Sequence, residues 1–248
     1  MKVIGIIPAR YASTRFPGKP LALIAGKSMI ERVYIQCIKS SLSDVVVATD
    51  DDRIYNHVKD FGRVMMTASH HQSGTDRCHE VVEKTSFKEK FDYVINIQGD
   101  EPFIDPQQID LLASLLDGKT EIATLIKKIE DKEQLFNANV VKVVKGVNNQ
   151  ALYFSRAAIP HVRGKDEQEW PTHHTFYKHI GMYAYRTDIL KKIASLKQTT
   201  LEKTESLEQL RWLENGYTIL TAETNLETLG IDTAEDLAKA EVSLKDSM

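Results

Sequence analysis

The sequence predicts an α/β fold, with a mostly parallel sheet flanked by helices and an inserted β-rich lobe. Short continuous apolar runs, each closed by a turn residue, alternate with segments of helical period through the first half. From about Glu121 that rhythm gives way to strand-like runs with few helices between them. At 248 residues the chain suffices for one large domain, or for one domain carrying a sizeable insertion.

Val3–Ile7 is an apolar run ended by Pro8 and reads as a strand buried on both faces. Met29, Ile30, Val33, Ile35 and Ile38 follow at near-helical spacing. Asp44–Thr49 reads as a second strand, Arg53–Phe61 as a helix and Tyr93–Ile97 as a third strand. Pro106–Leu116 reads as a helix, with Asp105 at its N-cap and proline at its first position. Such alternation implies parallel pairing through right-handed crossovers, a Rossmann-like sheet whose ligands collect at the carboxyl ends of the strands. Glu121–Ile129, Val140–Lys145, Ala151–Phe154 and His179–Tyr185 form the β-rich lobe, interrupted by a polar loop at Arg163–Thr175. Thr204–Asn215 then reads as a helix, Tyr217–Ala222 as a strand and Thr233–Leu244 as a closing helix.

The charge balance, 32 Lys plus Arg against 35 Asp plus Glu, argues against a broad nucleic-acid or anionic-membrane surface. Cations are nevertheless concentrated at the start: Lys2, Arg10, Arg15, Lys19 and Lys27 precede the first acid, Glu31. Cys37 and Cys78 stand far apart with no metal or disulfide pattern, which suits a reducing compartment. The apolar start is too short for a signal peptide, and no run has the length of a membrane span. A cytoplasmic soluble protein is expected.

Three stretches carry candidate chemistry. In Ile6–Pro20 (IIPARYASTRFPGKP), Arg10, Arg15 and Lys19 follow a buried strand, where this fold class places its ligands. No G-x-G occurs, and Gly26-Lys27-Ser28 lacks the upstream glycine of a Walker A motif. Phosphate binding here must therefore rest partly on side chains. A solvated basic loop is the competing reading. Gln98-Gly99-Asp100-Glu101-Pro102 places a carboxylate at a strand's carboxyl end, suited to Mg²⁺ or, alternatively, to a backbone turn. Asp232 and Glu235 read on their own as a helix-capping pair, and Asp50-Asp51-Asp52 as caps and first-turn acids. The adjacent pairs His70-His71 and His173-His174 lack the spacing of a zinc site, and Cys37 reads as a packed residue.

IPARYASTRFPGKPL, HHQSGTDRCHEVV, VINIQGDEPFI, VVKVV, ALYFSRAAIP, KHIGMYAY, LEQLRWLENG and GIDTAEDL occur in that order. Together, over nearly the whole chain, they resemble the CMP-KDO synthetases (3-deoxy-manno-octulosonate cytidylyltransferases). The resemblance implies a nucleotidyltransferase that joins CTP and KDO into CMP-KDO and pyrophosphate for lipopolysaccharide synthesis, Mg²⁺-dependent and typically homodimeric. It implies a nucleotide and Mg²⁺ core at about 1–120 and 200–248. The insertion at about 121–199 would serve sugar binding and dimerisation. By matching positions, Arg10 and Lys19 hold the triphosphate, with Pro8, Ala9, Ser13, Ser73, Arg77 and Gln98 on the CTP side. Asp100 and Asp232 are the implied metal carboxylates, which replaces the capping reading of Asp232 taken alone. Arg15, Gln98, Arg156, His179, Tyr183, Glu208 and Gln209 face the sugar acid. The catalytic set is Arg10, Lys19, Asp100 and Asp232. Related enzymes for another sugar acid, such as an amino-substituted KDO or a sialic acid, and a non-catalytic nucleotide-binding relative are the alternatives.

Overall fold

The computed structural model describes residues 1–12, 16–85, 90–227, 230–231 and 233–245. They cluster into two compact units, Met1–Ala113 with Thr228–Met248, and Ser114–Glu227. Residues 200–227 thus cluster with the second unit.

In the first unit, β1 (Val3–Ala9) leads through a 3₁₀ turn at Lys19–Leu21 to a hairpin of β2 (Leu23–Ile24) and β3 (Lys27–Ser28). Ala25 and Gly26 make the hairpin turn, both at positive φ, 45° and 81°. Gly26-Lys27-Ser28 is therefore hairpin, and the Ser28 hydroxyl caps α1 (Met29–Cys37) by accepting from the Glu31 N–H at 3.2 Å. That helix buries Met29, Ile30, Val33 and Cys37. Cys37 is packed as expected, and burial pushes its thiol pKa up.

The chain continues through β4 (Asp44–Thr49), α2 (Asp52–Val58), β5 (Val64–Met66), α3 (Gly74–Thr85), β6 (Tyr93–Asn96) and α4 (Pro106–Ala113). The strands lie in the order β6-β1-β4-β5, all parallel. Ile4, Ile6, Ile7, Val46, Val47, Val94 and Ile95 are fully buried, the two-sided burial that the apolar runs predict. Asp51 caps α2, accepting from the Arg53 N–H at 2.9 Å, and Asp52 opens its first turn. Asp50 differs: its Oδ2 lies 3.0 Å from Nη2 of the fully buried Arg77. Thr75, Arg77 and Thr85 are all buried on α3, and these polar residues on the inward face conceal the helix from a hydrophobic-period reading.

The closing helix, Ala234–Lys245, packs Ala240 and Leu237 with Ile24, Met29 and Ile231. Its described cap pairs Thr233 with Asp236, while Asp232 of the expected Asp232–Glu235 pair lies outside the described residues. Thr233 N–H donates to Asp236 Oδ2 at 3.0 Å, while Asp236 N–H donates to Thr233 Oγ1 at 3.1 Å.

The second unit contains β7 (Ile122–Lys128), α5 (Lys132–Phe136), β8 (Lys142–Lys145), β9 (Ala151–Ser155), α6 (Trp170–His173) and β10 (Tyr177–Arg186). Then come α7 (Thr187–Ala194), α8 (Thr200–Glu205), α9 (Glu208–Glu214) and β11 (Ile219–Glu223). β10 runs antiparallel to both β7 and β8, β8 antiparallel to β9, and β11 parallel to β7. Two short helices, α5 and α6, lie between its strand-like runs, and α7 follows the last of them. The single helix expected over Thr204–Asn215 is instead a pair, broken where Ser206 takes φ 53°. The break lets Glu202 meet Arg211, whose Nε donates to Oε2 at 2.8 Å; residues nine apart on one straight helix do not face each other.

Replacing Arg77 with Met leaves the Asp50 carboxylate and Thr67 without their buried partner. We expect a loss of about 3 kcal/mol in unfolding free energy, measured by urea denaturation. An unchanged midpoint would show that the pair contributes nothing.

Candidate active site

β1 and β6 end side by side, with Ile6 opposite Asn96 and the Ile97 N–H donating to the Ile6 carbonyl at 2.9 Å. The loops that follow them are therefore neighbours. A Cβ on Gly99 would sit 2.8 Å from the Pro8 carbonyl oxygen, a separation that only glycine permits. On the β1 side the loop is closed by the Gly18 N–H, which donates to the Tyr11 carbonyl at 2.9 Å with Gly18 at φ 73°. The Arg53 guanidinium lies 3.2 Å from the Tyr11 ring centroid, a cation–π contact at the loop's base.

Between the two loops lies a cavity of about 230 Å³ lined by Pro8, Ala9, Arg10, Ala12, Lys19, Pro20, Gln98, Gly99 and Asp100. Lys19 Nζ stands 2.7 Å from Asp100 Oδ2, with side-chain exposures of 14 % and 34 %. The first cluster of cations is therefore not left without an acid; its counter-charge arrives from a residue 81 positions on. Arg10 Nη2 donates to the His71 carbonyl, which joins the basic loop to the segment before α3. The Ile231 N–H donates to the Asp100 carbonyl at 2.9 Å and ties the chain just before Asp232 to the same corner.

The site residues expected from sequence are thus partly assembled here. Pro8, Ala9, Arg10, Lys19, Gln98 and Asp100 share one cavity. Ser13, Arg15 and Asp232 lie outside the described residues. Ser73 and Arg77 do not line the cavity. Ser73 Oγ accepts from the Asp76 N–H at 3.2 Å while the Ser73 N–H donates to Asp76 Oδ2 at 3.1 Å. The Arg77 guanidinium is engaged with Asp50 and Thr67. Among the described residues no group of three or more His, Cys, Asp or Glu is arranged to hold a metal ion.

The second unit carries the remaining candidates. The His179 and Tyr183 rings are 5.0 Å apart, and Tyr183 meets Trp212 edge-on at 5.0 Å. Thr124 Oγ1 donates its one hydrogen to the Met182 carbonyl at 2.7 Å, so it accepts from His179 Nε2–H at 3.0 Å. That bond sets the tautomer and leaves Nδ1 as an acceptor. Desolvation pushes the His179 pKa down to about 3, so the ring is neutral near pH 7. Burial, reinforced by Tyr185 and Glu208, raises the Tyr183 phenol well above its ordinary pKa. Its hydroxyl and Trp212 Nε1 are buried without a protein partner. Glu208 and Gln209 open α9, with Arg211 Nη2 3.8 Å from Glu208 Oε1. Arg156, at the end of β9, contacts Glu205 and Ser206.

A protein-family model for cytidylyltransferases matches residues 4–223. The chain belongs to the cytidylyltransferase family. It is 58 % identical over 246 residues to a 3-deoxy-manno-octulosonate cytidylyltransferase of Parabacteroides distasonis, covering 97 % of each chain. A protein of the same description from Francisella tularensis is 49 % identical over 238 residues, 94 % of this chain and 95 % of that one. Among solved structures, a CMP:2-keto-3-deoxy-manno-octonic acid synthetase complexed with CTP superposes with a TM-score of 0.92 at 39 % identity, over the full length of both chains. A cytidylyltransferase from Leptospira borgpetersenii, 17 % identical with a TM-score of 0.61, shares the fold.

For this cytidylyltransferase-family chain, Glu80 on α3 fixes the segment that Arg10 touches. It accepts from the Ala68 N–H at 2.8 Å, contacts His71 Nε2, and pairs with Lys84 at 2.6 Å. Burial raises its pKa, but these donors outweigh burial and hold it at about 2 against an ordinary 4.5. The stabilisation is complete above pH 4.5 and is lost as pH falls toward 2. We expect Glu80→Gln to reduce the acid-side loss of unfolding free energy by about 3 kcal/mol. Denaturant melts at stepped pH measure this; parallel wild-type and variant curves below pH 4.5 would exclude it.

Proposed function

We propose that the protein transfers CMP from CTP to KDO, releasing pyrophosphate and forming CMP-KDO for lipopolysaccharide synthesis. The observation that carries this reading is the cavity where Arg10, Lys19 and Asp100 converge at two strand ends. The 58 % identity to a 3-deoxy-manno-octulosonate cytidylyltransferase supports the choice of sugar. The first unit would take the nucleotide, and the second, through Arg156, His179, Tyr183, Glu208 and Gln209, the sugar acid.

The sugar's anomeric hydroxyl forms the new bond to the α-phosphorus, the bond from that phosphorus to the departing pyrophosphate breaks, and the hydroxyl proton leaves to solvent. This chemistry needs positioning and charge neutralisation more than covalent help from the protein. Lys19 turns from Asp100 toward phosphate oxygens as the triphosphate enters. Arg10, already held at the His71 carbonyl, meets the charge that builds on pyrophosphate. Neutral His179 accepts a sugar hydroxyl at Nδ1, while the Tyr183 hydroxyl donates.

Asp100 presents hard oxygen donors at an open corner, and the chain just before Asp232 is tied to it, a donor set that fits Mg²⁺ completed by phosphate and water. Asp100 and Asp232 would hold the ion, which would supply Lewis-acid polarisation of a phosphate and neutralise triphosphate charge. Two free, buried cysteines suit a cytoplasmic location. No helix among the described residues is long and apolar enough to cross a membrane. Exposed Val147 and Leu152 beside the β8–β9 turn are apolar side chains that a homodimer contact in the β-rich segment would cover.

Pyrophosphate release from CTP, measured with KDO, 8-amino-KDO and a sialic acid, tests the reaction and its acceptor together. KDO is expected to be the preferred acceptor; preference for another acid would reassign the sugar. Asp100→Asn should lower turnover about 10³-fold with the fold intact, since several kcal/mol of charge stabilisation are removed. Near-normal turnover in excess Mg²⁺ would remove Asp100 from the metal site. Glu208→Ala should raise KM for the sugar acid about tenfold while leaving KM for CTP in place. Equal changes in both constants would take Glu208 out of the sugar pocket.

A further inference from the structure

Arg156 is held in an unusual way. Its Nε donates to the Glu205 carbonyl at 2.7 Å, Nη1 to the Ala138 carbonyl at 3.1 Å, and Nη2 to the Ser206 carbonyl at 3.4 Å. A guanidinium has five N–H groups, so one remains on each terminal nitrogen. Among the described residues no carboxylate pairs with this guanidinium, and its charge stays uncompensated within its own hydrogen-bond shell. Two N–H groups on adjacent nitrogens match the two oxygens of a carboxylate.

Two other side chains build this arrangement. Lys142 is fully buried on β8, and its ammonium donates to the carbonyls of Asn137 at 2.8 Å, Val140 at 2.6 Å and Arg156 itself. Its three N–H groups thereby fold the 137–140 turn, which presents the Ala138 carbonyl to Arg156, and fix the backbone of Arg156 in the same act. Glu205 works from the opposite side. Its carboxylate accepts from the Ser155 hydroxyl at 2.7 Å and from the Arg156 N–H at 2.9 Å, and its carbonyl takes Nε. Ser206, left-handed at φ 53° and ψ 48°, turns its own carbonyl toward Nη2. Neither Lys142 nor Glu205 has a place in the motif-derived site.

We propose that Lys142 and Glu205 are positioning residues that hold Arg156 as a two-pronged receptor for the carboxylate of the sugar acid. This rests on the cytidylyl-transfer reading above and specifies which part of the acceptor the second unit recognises.

The test is steady-state pyrophosphate release by Lys142→Met and, because the lost ammonium leaves the Val140 and Arg156 carbonyls without its donors, by the near-isosteric Glu205→Gln. Each is expected to raise KM for KDO about tenfold, the effect of one misplaced charge-assisted hydrogen bond, with KM for CTP and kcat at saturating sugar unchanged. The C1 carboxamide of KDO serves as a competitive inhibitor. Its inhibition constant should be the same for wild type and both variants, because a neutral group cannot use the free fork as a carboxylate does. Equal losses for the acid and the amide, or an unchanged KM for KDO in a folded Glu205→Gln, would overturn the assignment. Wild-type protein that releases no pyrophosphate with any sugar acid would instead reject the reaction on which the proposal rests.

Discussion

The approach of Gly99 to the Pro8 carbonyl is the constraint on which the first unit's site depends. Parallel pairing of β1 and β6 ends both strands at one level, and the glycine lets the two following loops close to van der Waals distance. Lys19 and Asp100, far apart in sequence, then fall at 2.7 Å. Any side chain at residue 99 would have to push against a backbone carbonyl, not a rotatable group, and the pair would separate. The cavity, the ion pair and the tie from Ile231 to the Asp100 carbonyl all follow from that one contact.

The two units solve the same electrostatic problem in opposite ways. On the proposed reading, each would hold a cation ready for an anionic ligand before the ligand arrives. In the first, Lys19 rests on a carboxylate, a compact ammonium on a flexible stem that can turn from Asp100 to a phosphate. In the second, the rigid guanidinium of Arg156 rests on carbonyls, which fix its direction without cancelling its charge. A triphosphate brings its own counter-ions and many oxygens, so a mobile cation suits it. A single carboxylate has two oxygens in a fixed plane, and a fixed fork suits that.

What the sequence reveals and what it hides have physical causes. Continuous apolar runs disclosed β1 and β4 because both faces of those strands are buried, and Asp51 disclosed the start of α2 because a cap acts over two residues. Asp100 was recognisable as a strand-end carboxylate, but its partnership with Lys19 was not, since no local pattern reports a contact across 81 residues. Ser73 and Arg77 carry motif identity yet have intramolecular partners, Asp76 for one and Asp50 with Thr67 for the other. Lys142 was visible only as a charge among valines in VVKVV, where alternation would have placed it on a wet face. Three inward carbonyls decide otherwise. The break at Ser206 was hidden because serine gives little warning of a left-handed residue.

The choice of lysine at residue 142 has a consequence for charge as well as geometry. A neutral side chain of similar size would leave the carbonyls of Val140 and Arg156 without this donor, in a half-buried place, and the Asn137 carbonyl with the Val140 N–H alone. Lysine satisfies all three but adds a positive charge beside that of Arg156, and burial lowers its pKa while Glu205 opposes that shift. Lys142, Arg156 and Glu205 taken together hold two cations and one anion. A monocarboxylate completes the balance, and a neutral hexose does not. On the proposed reading, the same side chain that shapes the Arg156 fork would also set the charge that its ligand carries.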